Sequence, residues 1–379
     1  MTSRIRPWAL AIAASAAGAS ACGAVPMVTE PTLGTMFRMF TDSDQVSVRS
    51  MTSDADVPMP GASTLSFHFN NERVLIPGIA APAGTQQALD AITTASRPIS
   101  GDAFQDFVKV RNEVTASLAR GPASLEYYVS TESDYLAQQL GGKWSRDLRE
   151  QALNLSIGSS YGWDHIDPLA DDDTQTGARM RTTWHGNIVG TGVLSPSTLV
   201  RVGAEVNRVH GLQHNAYRNV YAGGTNVSER HPDDRFRRDA FVRLHQYFSQ
   251  RSSIKLAYRL YNDDWGIDSH EIESRLSQYI TNGLSSRYLY RWYTQTAADF
   301  YRDQYATTTG IDGYRSGDYR MDELSSHLFG VALHADLEAL AVPSPWMRRF
   351  AVWLSYERYF NRNNYSANIL ETGLDFRFQ

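Results

Sequence analysis

Several residues in this chain are of types that could do chemistry. Ser269 and His270 are adjacent and would suit a nucleophile and its base, but neighbouring residues of a strand point to opposite faces and cannot easily meet. No G-x-S-x-G elbow occurs to present a serine otherwise. His210 and His214 have helical spacing but lie in a connection, and no HExxH motif accompanies them. The Asp171, Asp172, Asp173 triplet could hold Ca²⁺, yet the spacing of an EF-hand is missing. Cys22 is the single cysteine, so the chain has no internal disulfide and no cysteine cluster for zinc or iron–sulfur. No catalytic residue, metal or cofactor is therefore expected, and the chain is not read as an enzyme.

The charges repeat in a pattern of their own. Lys255 and Arg259, then Glu271, Glu273 and Arg275, then Arg287 and Arg291 alternate along three successive segments with apolar or aromatic residues such as Leu256, Tyr258, Tyr288, Tyr290 and Trp292. Period-two alternation is the signature of a strand with two different environments. Charge on one face and aromatics on the other fit a wall between lipid and a polar lumen, because arginine on the lipid side costs roughly 2–4 kcal/mol at the midplane.

The elements needed to position such faces run through the whole chain. Sixteen alternating segments can be read: 35–40, 45–52, 62–74, 106–118, 122–131, 134–143, 149–162, 180–192, 197–209, 238–249, 252–262, 267–279, 285–296, 325–338, 348–360 and 366–378. The first two are the weakest, and without them the count is fourteen. Only QQALDAIT (86–93) resembles a short helix. Counted back from the C-terminus, short gaps such as 280–284 and 250–251 alternate with gaps that include the long ones, 297–324, 210–237, 163–179 and 75–105. Short turns at one end and long loops at the other are the plan of an outer-membrane barrel. The long loops 163–179 and 297–324 are polar and read as solvated. The expected fold is all-β, an antiparallel transmembrane β-barrel of about 16 strands (alternative 14).

The N-terminus, with Arg4 and Arg6 before an apolar stretch from Trp8 to Ala17, reads as a signal peptide over 1–21, with cleavage extending as far as 24 in one reading. Cys22 directly follows Ala19-Ser20-Ala21 and is a lipidation candidate. Residues 22–34 are then a periplasmic segment and 35–379 a single barrel. A net charge of −5 argues against nucleic acid as a partner. The final strand, ILETGLDFRFQ, places Leu370, Leu374, Phe376 and Phe378 opposite Glu371, Asp375 and Arg377 and resembles the signal read by the barrel-assembly machinery, except that Gln379 follows the last aromatic.

YRLYNDDWGID (258–268), Ser269-His270 and QTAADFYRD (295–303) resemble the bacterial β-barrel family catalogued as domain of unknown function 3570. ITTASRP (92–98), YGWD (161–164), LSPSTLVRVG (194–203), NAYRNV (215–220) and ERHPDDR (229–235) agree, so the similarity extends from about residue 35 to the C-terminus. The resemblance implies a barrel of the Gram-negative outer membrane, in contact with its lipid. Members are often encoded near flavin-transferase and thioredoxin-like genes, which implies a link to envelope redox systems.

Asp263, Asp264, Trp265, His270, Asp299, Tyr301 and Arg302 fall where strands meet the long loops. They are expected to gather at the outer rim, with Trp265 capping the interface, either as a hydrogen-bonded cluster fixing the loops or as a ligand or partner site. The expected function is a channel for small polar solutes. The alternative is a non-conducting scaffold or sheath for an envelope redox lipoprotein or a peptide partner.

Overall fold

The computed structural model describes residues 30–43, 45–76, 107–150, 152–168, 176–222, 225–249, 251–302, 305, 313–362 and 365–378. The signal segment with Cys22, the QQALDAIT stretch and Asp171–Asp173 lie outside them.

Eighteen strands are described: β1 (Thr32–Asp42), β2 (Ser47–Met59), β3 (Ser63–Ile76), β4 (Phe107–Arg120), β5 (Ala123–Thr131), β6 (Tyr135–Leu148), β7 (Leu153–Ile166), β8 (Arg179–Ser195), β9 (Thr198–Gly211), β10 (Asn219–Ala222), β11 (Thr225–Ser228), β12 (Asp234–Phe248), β13 (Ser252–Asp263), β14 (Asp268–Tyr279), β15 (Leu284–Gln295), β16 (Leu324–Asp336), β17 (Phe350–Asn361) and β18 (Ser366–Arg377). Sixteen close into one antiparallel barrel, while β10 and β11 form a separate hairpin within the loop between β9 and β12. The weakest segments of the sequence, β1 and β2, are full members. β1 pairs with β18 from Thr32↔Arg377 to Asp42↔Ala367 and closes the ring. Closure satisfies every ladder and leaves no open edge, which is what a lipid environment demands of a sheet.

Alternation assigns the two faces. Val114, Leu140, Ile157, Val202, Val331 and Leu354 point outward and are each at least 41% exposed, while their inward neighbours Glu113, Ser156 and Ser355 are buried. This wall is inverted relative to a soluble protein: apolar surface outside, polar groups inside. Aromatics stand toward both ends of the outer face, among them Trp144, Tyr247, Tyr279 and Phe378 near the short turns and Trp184 and Phe236 near the long loops, as expected of interfacial belts. In the last strand, Leu370 and Leu374 face outward and Glu371 inward, at 44%, 38% and 1% exposure.

The two ends differ. Near the long loops the interior is packed: Phe40, Val46, Val48, Val74, Ala367 and Ile369 form an apolar cluster backed by Tyr359 and Tyr365. Toward the short turns the inward side chains are mostly polar or charged.

Candidate site at the loop end of the barrel

The strand β13–turn–β14 corner is held by Asp263. Its carboxylate accepts from the backbone N–H groups of Trp265 and Ile267, both at 3.0 Å, so one side chain closes the turn. Its other oxygen accepts from Arg235 Nε at 2.9 Å and the Tyr261 hydroxyl at 2.6 Å. The Arg235 guanidinium lies 4.1 Å from the Trp265 ring centroid. Trp265 is buried, its indole N–H donating to the Asp234 carbonyl at 3.0 Å, rather than standing outward as an interfacial cap. Asp263 folds the turn over the barrel, where Phe300 and His231 from two other loops pack edge-on to the indole.

Gly266 makes this turn possible. Its φ is +85°, and a Cβ there would lie 2.3 Å from an Asp299 carboxylate oxygen. Asp299 donates its backbone N–H to the Trp265 carbonyl, tying the start of the β15–β16 loop to the corner. Tyr301 is buried with Ile267 and Ala298, and Arg302 donates to the Asp299 carbonyl. Asp264 is exposed and accepts from the Phe236 amide at 3.0 Å. Six of the seven rim candidates therefore lie at one corner. His270 does not: it sits on the outward face, 2.9 Å from the Tyr258 hydroxyl, while Ser269 is buried on the inward face. The pleat separates them.

The loops that continue from this corner are not simply solvated. Loop 212–233 and loop 296–323 meet in an antiparallel bridge, with Arg315 N–H on the Arg230 carbonyl at 2.8 Å and Arg230 N–H on the Arg315 carbonyl at 3.1 Å. Glu229, 3% exposed, accepts from Ser316 Oγ at 3.2 Å, Gly317 N–H at 2.8 Å and Asn215 N–H at 3.3 Å. Arg218 and Arg320 both engage Asp318, at 3.2 and 2.6 Å. Burial pushes the Glu229 carboxyl up to about 7; Arg218 and the two backbone N–H groups work against that shift and Asp318 adds to it. Burial pushes the neighbouring His231 down to about 3, leaving a neutral ring. The half-buried His214 packs beside it with ring centroids 6.0 Å apart.

This knot reaches across the barrel mouth. Tyr217 donates to Asp134 in the β5–β6 turn. Tyr319 packs on Tyr365, whose hydroxyl donates at 3.2 Å to Asp42 at the end of β1. Two loops thus join walls that lie far apart in the ring. Glu229, His231, Arg218, Ser316 and Asp318 were not singled out from sequence. The ERHPDDR stretch holds two of them, but a loop's charge pattern does not reveal what covers it.

The lumen candidates Lys255, Arg259, Glu271, Glu273, Arg275, Arg287 and Arg291 occupy the inward parity of β13, β14 and β15, whose other parity carries Leu256, Tyr258, Ile272, Leu276, Tyr288 and Tyr290 in exposed positions. Arg259 pairs with Asp239 of β12 at 2.7 Å, and Arg275 with Glu273 on its own strand at 3.0 Å.

Comparison with known proteins gives one family. Residues 170–344 match the family described as Protein of unknown function (DUF3570). That stretch runs from before β8 to beyond β16 and holds the whole corner and both docked loops; it is narrower than the span from residue 35 over which the resemblance is read. No curated protein matches the chain. Among solved structures, the fold is similar to a loop L8 deletion mutant of OmpT from Vibrio cholerae (9% identity, TM-score 0.46, covering 92% of this chain and 98% of that one). It is also similar to OprD from Pseudomonas aeruginosa (9%, 0.45, 94% and 98%) and to OccAB3 from Acinetobacter baumannii (9%, 0.40, 92% and 98%).

Proposed function

We propose that this DUF3570 barrel is an outer-membrane channel for small polar solutes, its outer mouth narrowed by two docked loops. The observation that carries the reading is the inverted wall: a closed ring of sixteen strands, apolar outside and lined with charge inside. Barrels of about this strand number leave an aqueous passage when loops do not fill them. In this reading the short turns and both barrel termini face the periplasm, the N-terminal segment is the export signal, and insertion proceeds through the barrel-assembly machinery. No catalysis is assigned, since Ser269 and His270 lie on opposite sides of the wall.

Single-channel recording of the refolded protein in a planar bilayer tests this. Reproducible conductance steps, altered by Arg287→Ala with Arg291→Ala, are expected. Silence from a folded barrel would refute the channel. One observation favours a second reading: the loop bridge spans from Asp134 to Asp42 across the mouth. Under that reading the barrel is a non-conducting scaffold for an envelope redox lipoprotein or peptide, and pull-down from outer membranes would recover such a partner.

A further inference from the structure

A row of cations crosses five adjacent barrel strands near the short-turn end. Arg201 of β9 stands directly opposite Arg243 of β12, and Lys255 of β13 directly opposite Arg275 of β14; Arg287 of β15 follows. Each lies within five residues of the short-turn end of its strand, so the row keeps one height. All five point into the lumen. Like charges paired directly across a ladder are destabilising unless something offsets them. Among the described residues, Arg275 has an ion pair with Glu273, whereas Arg201, Arg243, Lys255 and Arg287 have none. Arg201 Nε is buried with no hydrogen-bond partner.

Acids near the short-turn end exist, but on other strands. Asp54 and Asp375 flank Gly34 in the register of β2, β1 and β18, and Glu126 lies on β5. In the ring of sixteen, β2 stands eight places from β12, while β18 lies three places from β15 and β5 four places from β9. Among the described residues none of these three acids forms an ion pair with the row, and Asp54 is already engaged by His68 at 2.5 Å.

We infer that this row is a binding station for small polyvalent oxyanions, carboxylates or phosphates, passing through the barrel. An anion with two charged groups can bridge Arg201–Arg243 and Lys255–Arg275. Guanidinium groups hold carboxylate and phosphate alike through paired N–H donors. The inference rests on the channel reading and names the class of solute.

The test is chloride current through the full-length protein in dilute KCl, where screening is weak, with succinate or inorganic phosphate added on the short-turn side. Block by succinate is expected, its midpoint rising about tenfold or more in Arg201→Gln with Arg243→Gln. Asp54→Asn with Asp375→Asn should leave block unchanged or tighten it. Lys255→Gln with Arg287→Gln tests the same row should the first variant fail to fold, with folding judged by heat-sensitive gel migration. Block by succinate alone assigns the station to carboxylates, and block by both probes assigns it to oxyanions generally. A conducting barrel that neither probe blocks, or whose block survives both cation variants, overturns the inference and leaves the channel standing. A folded but silent barrel overturns both.

Discussion

Glu229 and His231 make a prediction in which two neighbouring groups pull in opposite directions with pH. Both are buried in the loop bridge, at 3% and 5% exposure. The docked Glu229 has its carboxyl near 7 against an ordinary 4.5, so docking is strongest below 4.5 and weakens as pH rises toward 7. The docked His231 lies near 3 against an ordinary 6.5, so docking is strongest above 6.5 and weakens as pH falls toward 3. Between pH 4.5 and 6.5 the two slopes oppose, each changing the opening equilibrium by about 40- to 50-fold, or about 2 kcal/mol. The wild-type bridge should be nearly insensitive to pH over that interval. Glu229→Gln keeps a carbonyl for Ser316 and Gly317 and cannot ionise, so its opening should fall as pH rises. His231→Phe keeps a ring against Trp265 and Phe300 and cannot protonate, so its opening should rise. His214, pushed down by burial, adds to the histidine slope, and Asp134, pushed up by burial where Tyr217 docks on it, adds to the opposing one. The assay is hydrogen exchange at the Arg230 and Arg315 amides, which form the bridge, expressed as protection relative to unprotected rates at each pH. Slopes of the same sign in the two variants would refute the reasoning, as would a wild type as steep as either.

Two further outcomes follow from the fold. Gly266→Ala forces a Cβ into a left-handed φ of +85° and onto Asp299, so the thermal midpoint of the folded barrel should drop, with a loss of about 2 kcal/mol or more in a chemical unfolding titration. Val114→Arg places a guanidinium on the lipid face near the middle of β4 and should cost about 2–4 kcal/mol in urea-controlled refolding into vesicles, whereas Thr115→Arg, one residue along and facing the lumen, should cost much less.

The sequence by itself determined the wall. Period-two alternation depends only on the pleat, so Val108, Val110 and Val114 against Lys109, Arg111 and Glu113 already place lipid on one side and water on the other. Strand number and loop parity followed from the same periodicity, and even β1, whose alternation is weak, was drawn in because β2 and β18 both needed a partner to close the ring. The DDWG turn was legible as a turn because aspartate and glycine have local conformational preferences. What surrounds that turn was not legible. Trp265 turned inward because loops distant in sequence supplied His231 and Phe300 to cover it, and His270 stayed apart because one step along a strand reverses a side chain. The burial of Glu229 and the alignment of the cation row from Arg201 to Arg287 were decided by tertiary structure alone. Both depend on which strands become neighbours and which walls come to face each other, and closure of the ring sets those distances over hundreds of residues.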